Sequence, residues 1–320
     1  ANAVVAYGSN IDDLTPLAGA VQAIATKHAA LQVKPEHYPK VDENLAAAIL
    51  AVIGEEIVTP EVSGAWREAV QSLAKILIAA EEEIVQEAAK RSGGWLGLKD
   101  FKITSIRDVT EACREFTFES ADGDTTPIDF TAGQFLTVHL QGEGLTPRHY
   151  SVTNAPGRNF LQCCVKKVAK GAVSNALHAM KEGDVVPLAP PMGLFKMNDR
   201  PAVLISAGIG ATPMKSFLDS SASNVKLVVH VDRNETTHPF KTEMEASGVE
   251  TKFIYTQKSG RPVPGELVAE LQPYIADHDF YLCASADFSG EIHAALKVAG
   301  VSNIFADVFG PTLAGAHLPK

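Results

Sequence analysis

Three short segments hold residue types that can bind and orient dinucleotides. Arg148-His149-Tyr150-Ser151 comes first, Gly208-Ile209-Gly210-Ala211-Thr212-Pro213 begins 60 residues later, and Phe309-Gly310-Pro311 follows near the end. On a strand, Arg148 and Tyr150 share one face and Ser151 turns to the other. A flavin dinucleotide needs a cation for its pyrophosphate, an aromatic platform for its ring and a small donor near the reacting nitrogen. Arg, Tyr and Ser at this spacing supply all three. Gly171-Ala172-Val173-Ser174 offers a second half of such a site, a glycine turn leading to Ser174 at a helix start whose free N–H groups attract phosphate. For the tetrapeptide alone, an exposed Arg beside a half-buried Tyr is the plain alternative. The combination with the other segments argues against it.

The second segment follows Ala202–Ala207, an apolar run that reads as a buried strand, and leads to a helix predicted from Met214. Glycines let the main chain turn sharply toward a pyrophosphate, and the helix start attracts its charge. Thr212 is the predicted cap and Pro213 the predicted first helical residue. Thr212-Pro213 stands where the dinucleotide fingerprint GxGxxG has its third glycine. Phe280-Tyr281-Leu282-Cys283 reads as a strand end on the same sheet edge, which puts Cys283 near a nicotinamide or in the core. Phe309 covers a flavin ring or plugs the core. At the end of the second strand, Arg233 suits a 2′-phosphate and Asp232 opposes one, so NADH and NADPH both stay open.

One further residue type suggests iron. His28 lies late in a helix, and a neutral imidazole on an apolar helix face can bind haem when an acceptor holds its other N–H. Tyr38 and Glu81 are the candidate acceptors. A lone helical His is also an ordinary residue.

These residues need positioning elements. Apolar residues at helical spacing recur over residues 1–95, and Trp66, Val70, Leu73, Leu77, Ile84 and Val85 follow one face of a long helix. Thr59-Pro60-Glu61 opens that helix and Ser92-Gly93-Gly94 ends it. Trp66 and Trp95 read as packing residues. From Phe101 the period becomes alternating. The runs 101–106, 115–118, 135–140 and 161–168 predict an antiparallel barrel over 99–197. Over 201–320, strand candidates at 202–206, 225–231, 252–256, 280–283 and 303–307 alternate with helical patterns, which predicts a doubly wound α/β domain.

A chain of 320 residues is too long for one ordinary core, in keeping with several domains. Its net charge of -10 and the lack of a Lys/Arg cluster argue against nucleic acid. No apolar run approaches the roughly 18 residues of a membrane helix. Cys113, Cys163, Cys164 and Cys283 have no metal-ligand spacing, and adjacent Cys163 and Cys164 point to opposite faces of a strand. Free thiols of this kind suit a reducing compartment, and the cytoplasm is the expected location. The first residue is not Met, and Ala1–Asp12 reads as the end of an amphipathic helix, so the chain is expected to begin inside an element.

Along its whole length the chain resembles the flavohaemoglobins, nitric oxide dioxygenases. Asn10-Ile11-Asp12-Asp13-Leu14, the run from Lys27-His28 to Pro35-Glu36-His37-Tyr38, and Gly93-Gly94-Trp95 resemble the globin half. Arg148–Ser151, Gly171–His178, Ile205–Met214 and Phe309-Gly310-Pro311 resemble the reductase half. The resemblance implies a partial all-α globin over 1–95, an antiparallel β-barrel FAD domain over 99–197 and an α/β NAD(P)-binding domain over 201–320.

It also implies roles. His28 is the haem ligand, with Tyr38 and Glu81 as its hydrogen-bonded catalytic partners and Lys27 beside it, where the family tunes haem potential. Phe135, in Gly133-Gln134-Phe135, replaces a flavin-contacting Tyr, and Asp307 replaces a Glu. Arg148, His149, Tyr150, Ser151, Gly171, Val173, Ser174, the loop Gly208–Pro213, Cys283 and the segment Asp307-Val308-Phe309-Gly310-Pro311 bind cofactors. The family's Cys-Gly-Pro becomes Cys283-Ala284-Ser285 here. The implied cofactors are FAD, haem b and NAD(P)H, and the other partners O2 and nitric oxide, for a monomer without membrane or nucleic-acid contacts. In the family, NAD(P)H reduces FAD, the flavin reduces haem, and oxygen on haem turns nitric oxide into nitrate.

The family's globin starts with further helices that carry a distal tyrosine, a distal glutamine and a haem-wedging phenylalanine, which match nothing here. The chain as given is therefore expected to keep the NAD(P)H:flavin reductase part and to hold haem poorly. A stand-alone flavin reductase serving a separate acceptor, and a non-enzymatic haem sensor or oxygen carrier, are the alternatives.

Overall fold

Apolar side chains spaced three and four residues apart build the first part of the chain into helices: α1 (Asn2–Ser9), α2 (Ala18–Ala30), α3 (Tyr38–Ile53) and α4 (Pro60–Lys90). The structure, a computed structural model, describes residues 2–309. The chain divides into two units between Ala89 and Lys90. In the first unit, Pro60 sits at the start of α4, where its missing N–H costs nothing, and the Thr59 hydroxyl accepts from the Val62 N–H (3.4 Å). The buried stripe of α4 is Val70, Leu73, Leu77, Glu81 and Ala88, so one carboxylate lies among apolar residues. Leu73 and Leu77 pack with Tyr7 and Ala25. Beside them an apolar cavity of about 290 Å³ is lined by Tyr7, Leu14, Leu17, Val21, Leu73 and Ile76.

The second unit opens with β1 (Lys99–Thr110), β2 (Cys113–Ser120), β3 (Phe135–Val138), β4 (Arg148–Ser151) and β5 (Phe160–Lys166), followed by α5 (Ala172–Ala179) and β6 (Val185–Met192). These strands form one antiparallel sheet in the order β4-β3-β6-β1-β2-β5. A bridge between Val152, just past β4, and Cys163 in β5 joins its two edges into a barrel. Phe101, Phe116, Phe118, Leu136 and Leu161 fill the interior, and the Trp95 indole closes one end, donating to the Leu188 carbonyl (3.0 Å).

The remainder is β7 (Ala202–Ala207), α6 (Ala211–Ser221), β8 (Val225–Asp232), α7 (Lys241–Ala246), β9 (Glu250–Tyr255), α8 (Thr256–Ser259), α9 (Pro264–Glu270), β10 (Asp279–Ser285), α10 (Ala286–Val298) and β11 (Ile304–Phe309). All five strands are parallel, in the order β11-β10-β7-β8-β9. The chain therefore winds outward from β7 through β9 and then returns to the other side of β7. Folds of this topology bind ligands at that reversal, beyond the carboxyl ends of the two central strands. Here those strands are β7 and β10.

Four expectations need correction. The helix after the glycine loop starts at Ala211 rather than Met214, because Gly208–Gly210 tightens into a 3-10 turn that runs straight into α6. Thr212 is consequently not the cap; its hydroxyl donates back to the Ile209 carbonyl (2.9 Å), and Gly210 holds the cap position. Pro213 falls inside the first turn, where its missing N–H has no intrahelical partner to lose. The sequence reading also contained no strand at 185–192. β6 carries Pro187, Pro190 and Pro191 yet lies between β3 and β1, and the Pro187 carbonyl still accepts from the His139 N–H (3.0 Å).

Candidate functional site

The barrel contributes the strand pair β3–β4, in which Phe135 lies opposite Ser151, Leu136 opposite Tyr150 and Thr137 opposite His149. Arg148 is exposed, and one guanidinium nitrogen donates to its own loop at Thr146 Oγ1 (2.5 Å) and the Pro147 carbonyl (2.9 Å). The half-buried Tyr150 hydroxyl and the Ser151 hydroxyl hydrogen-bond to none of the described residues. Burial, and next the neighbouring Cys163, raise the Tyr150 pKa, so the phenol stays a neutral donor. His149 Nδ1 lies 2.8 Å from Thr137 Oγ1, and its ring lies 4.3 Å from that of Phe135. Gly171 holds the cap position of α5, and a Cβ there would come within 2.5 Å of Ser174 Oγ. Val173 and Ser174 are buried, and the Ser174 hydroxyl donates to the Gly171 carbonyl (3.2 Å). The turn is thus fixed by Ser174, while the first N–H groups of α5 have no intrahelical partner.

The parallel sheet contributes the glycine loop at its reversal point. Gly208 has a left-handed φ of +53°, and Gly210 lies so close to β10 that a Cβ would overlap the Cys283 carbonyl. Ile209 is half-buried, whereas Ala211, Thr212 and Pro213 are buried. The Cys283 thiol is fully buried and its pKa raised, first by burial and then by Asp307, so the main chain of Cys283 rather than its sulfur meets the loop. On β11, Asp307, Val308 and Phe309 lie opposite Cys283, Ala284 and Ser285, and Phe309 packs against the core that includes Tyr281 and Met214. Gly310 and Pro311 lie outside the described residues.

Barrel and loop meet through α6. Lys215 Nζ donates to the Thr153 carbonyl (3.2 Å) and pairs with Asp219 (2.7 Å), and Ser216 Oγ donates to the Asn154 carbonyl (3.1 Å). Thr153 is two residues past Ser151, and Lys215 two residues past Pro213. The flavin-type strand and the nucleotide-type loop therefore border one seam.

In the helical unit, the His28 Nδ1–H donates to Glu81 Oε1 (2.8 Å) and lies 3.1 Å from the Tyr38 hydroxyl. The Tyr38 hydroxyl in turn donates to Glu81. Burial and this bond raise the Tyr38 pKa, which keeps the phenol protonated. Glu81 is buried, while the imidazole is 33% exposed. With Nδ1 bound to a carboxylate, Nε2 is the ring nitrogen left open, and it bonds to none of the described residues. Lys27, in the last turn of α2, is exposed.

Two family profiles match the chain: Globin over residues 1–77 and Oxidoreductase FAD-binding domain over residues 100–197. The Flavohemoprotein of Bacillus subtilis strain 168 is 32% identical over 344 residues, covering 99% of this chain and 85% of the relative. The chain belongs to the flavohemoprotein family. A crystal structure of flavohemoglobin from Malassezia yamatoensis with bound FAD and heme shares the fold at a TM-score of 0.78 and 23% identity, over 91% of this chain and 79% of that one. The flavohem-like FAD/NAD binding domain of nitric oxide dioxygenase from Vibrio cholerae O1 biovar El Tor matches at a TM-score of 0.57 and 28% identity, over 67% of this chain and 99% of that one.

In this flavohemoprotein, sequence reasoning missed the residues that hold the seam. Lys215 is 8% exposed, and its only sequence signal was a lone cation inside the apolar stretch Pro213–Leu218. Arg107 is the second case. It pairs with Glu115 (2.8 Å) in the barrel and with Glu243 (2.8 Å) on α7, and lies 5.8 Å over the Phe240 ring. Nothing in the spacing of these residues pointed to one another. Among the described residues no helix is long and apolar enough to cross a membrane.

Proposed function

We propose that this flavohemoprotein oxidises NAD(P)H through FAD and haem b and, given nitric oxide and O2, acts as a nitric oxide dioxygenase that yields nitrate. Residues 1–95, 99–197 and 201–320 would divide the work as haem-, FAD- and NAD(P)H-binding segments. The observation that carries the reading is the seam: Lys215 and Ser216, on the helix that follows the glycine loop, bind the main chain directly after the Arg148–Ser151 strand.

The residues present fit both groups. For FAD, Tyr150 and Ser151 offer two uncommitted hydroxyls, Arg148 a cation, and the Gly171 turn a set of free N–H groups at the start of α5. For haem iron, His28 would supply the ligand, an imidazole whose Nδ1 is held by the Glu81 carboxylate and whose Nε2 bonds to none of the described residues. Bound flavin supplies the conversion of a two-electron hydride into single electrons, and bound haem supplies one-electron and dioxygen chemistry.

The chain's own residues do the rest. Gly208 and Gly210 let the loop main chain lie against β10, leaving the start of α6 to meet a pyrophosphate. Tyr150 and Ser151 would orient a flavin ring from β4. Glu81 keeps the His28 proton on Nδ1, and Tyr38, held protonated, shares that carboxylate. The reading is supported by family membership and by the Vibrio cholerae likeness.

The test is spectroscopic and kinetic. The purified chain is expected to show flavin absorbance and NAD(P)H oxidation with ferricyanide as acceptor, and nitric oxide consumption that needs O2 is expected only of the fraction that takes up added haem. Arg148→Ala and Tyr150→Phe should lower flavin content. A chain that binds no flavin, or whose NAD(P)H oxidation ignores both substitutions, would overturn the proposal.

A further inference from the structure

The rim of the parallel sheet holds a cation that the reading above does not use. β8 is the second strand of the winding and ends at Asp232. In nucleotide-binding α/β folds an acid near this strand end takes the ribose 2′-hydroxyl, and an arginine there takes a 2′-phosphate. The chain has both residue types side by side, and the structure separates them.

The Asp232 carboxylate is turned into the protein, its side chain only 9% exposed. One oxygen accepts from Thr237 Oγ1 (2.5 Å) and from the Arg233 main-chain N–H (2.6 Å). The other lies 3.5 Å from Nε2 of His230, itself buried and 2.8 Å from Ser206 Oγ. Burial alone would raise the Asp232 pKa, but the donors from His230, Thr237 and Arg233 outweigh it and hold the group ionised. Its lone pairs are spent on the turn.

Arg233 is exposed, and its guanidinium has no hydrogen bond or ion pair among the described residues. Its main chain is fixed on both sides. The N–H is held by Asp232, and the carbonyl accepts from the Gln257 N–H (3.0 Å). Asn234 caps the following turn and donates to Gln257 Oε1 (2.8 Å), which ties β8's end to α8, where Lys258 is exposed. Glu235 is the exposed acid on this turn.

We propose that Arg233 makes this chain select a nicotinamide dinucleotide that carries a 2′-phosphate, NADPH over NADH. The inference rests on the nucleotide reading of the Gly208–Pro213 loop. A phosphate monoester brings up to about two negative charges and three acceptor oxygens, which a planar guanidinium can meet with paired donors. A bare 2′-hydroxyl gains little from that cation, and the carboxylate that would accept from it is already occupied. Lys258 adds to the positive field, while Glu235, exposed to salt and water, opposes it weakly.

The experiment titrates the purified full chain with adenosine 2′,5′-bisphosphate and with AMP, which differ only in the 2′-phosphate. The bisphosphate is expected to bind about ten- to a hundredfold tighter, the range of a charge-assisted pair, and the gap should narrow as salt rises. Arg233→Gln should bring the bisphosphate down to the AMP level and leave AMP unchanged. The ratio of kcat/KM for NADPH over NADH should fall in parallel. Equal affinity for the two probes in the unsubstituted chain, or a preference that survives in Arg233→Gln, overturns the assignment while the nucleotide site stands. If neither probe binds, the nucleotide reading itself falls, and this inference with it.

Discussion

A methyl group on Gly210 is the sharpest probe of the reversal point. An alanine Cβ would sit 2.6 Å from the Cys283 carbonyl carbon and 3.2 Å from the Ala284 nitrogen, besides overlapping the carbonyl oxygen. Both neighbours are main chain of β10, which is hydrogen-bonded to β7 on one side and β11 on the other, so the loop must yield rather than the strand. Moving the carbonyl carbon out to ordinary contact at 3.4 Å requires 3.4 − 2.6 = 0.8 Å of retreat, and the oxygen requires more. A misplacement of this order in a positioning element costs up to about a hundredfold in rate. Forcing the methyl into packed main chain costs about 1–3 kcal/mol of stability. Gly210→Ala is therefore expected to lose roughly a hundredfold in kcat/KM for NAD(P)H with ferricyanide as acceptor, mostly through KM. Gly208→Ala is the control. Nothing lies within 4 Å of its Cβ, so only the φ of +53° resists, at about 1–2 kcal/mol. Unchanged KM and turnover in Gly210→Ala would refute the placement of the nucleotide at this loop.

Other outcomes are equally specific. Glu81→Gln removes the carboxylate from His28 Nδ1 and should weaken haem binding about 10–100-fold in a Soret titration; full affinity would count against His28 as the ligand. Lys215→Met strips the donor from the Thr153 carbonyl and should cost about 1–3 kcal/mol in urea unfolding, whereas a change within about 0.5 kcal/mol would show that the seam does not depend on it. The His238 pKa is pushed down from 6.5 to about 3, by burial first and then by His230, whose own pKa is lowered by burial. Its neutral form is therefore the folded one. The stability this gives is complete above pH 6.5 and drains as pH falls toward 3, at up to about 1.4 kcal/mol per pH unit. His238→Phe should flatten the curve of urea midpoint against pH between 6.5 and 4, and parallel curves for the two proteins would contradict the argument.

What could be read in advance followed from short-range rules. The alternation of Glu115–Phe118 and the apolar run Ala202–Ala207 each give a strand because side-chain period is a local property. Adjacent Cys163 and Cys164 do face opposite ways, one into the barrel interior and the other into the core shared with the sheet. Glu81 was legible as a candidate acceptor for His28 on the long helix, while its burial beside Leu77 came only from the structure. β6 was not legible, since three prolines contradict a central strand; Pro190 and Pro191 fall where the β3–β6 register shifts between Phe135 and Thr137, while Pro187 pairs with Asp100 and its carbonyl still accepts from the His139 N–H. Thr212 reads as a cap in sequence, but a 3-10 turn upstream displaces the helix start. Lys215 and Thr153 are 62 residues apart, beyond any local pattern.

The seam has a consequence for how the two sites of the reductase unit are coupled. Three successive residues of α6 grip the barrel. Lys215 and Ser216 hold the Thr153 and Asn154 carbonyls, and the Phe217 ring lies against Gly133, where a Cβ would come within 2.6 Å of that ring and would overlap the Phe195 carbonyl oxygen. Gly133, at φ +90°, leads into Gln134 and Phe135, and Phe135 lies opposite Ser151. The helix that begins at the nucleotide loop is thus keyed to both strands of the flavin-type site, and it is buried from Ala211 through Leu218. Hydride transfer needs reacting atoms held to about 3–3.5 Å, a tolerance that a flexible joint would not keep. Gly133→Ala, 75 residues before the Gly208–Pro213 loop in the chain, should therefore raise the KM for NAD(P)H as well as lower flavin content, because its Cβ displaces the Phe195 main chain and the Phe217 ring, and Phe217 drags the loop with it. A variant that loses flavin affinity while its nucleotide affinity stays intact would mean that α6 does not transmit the shift, and that the two sites are positioned independently.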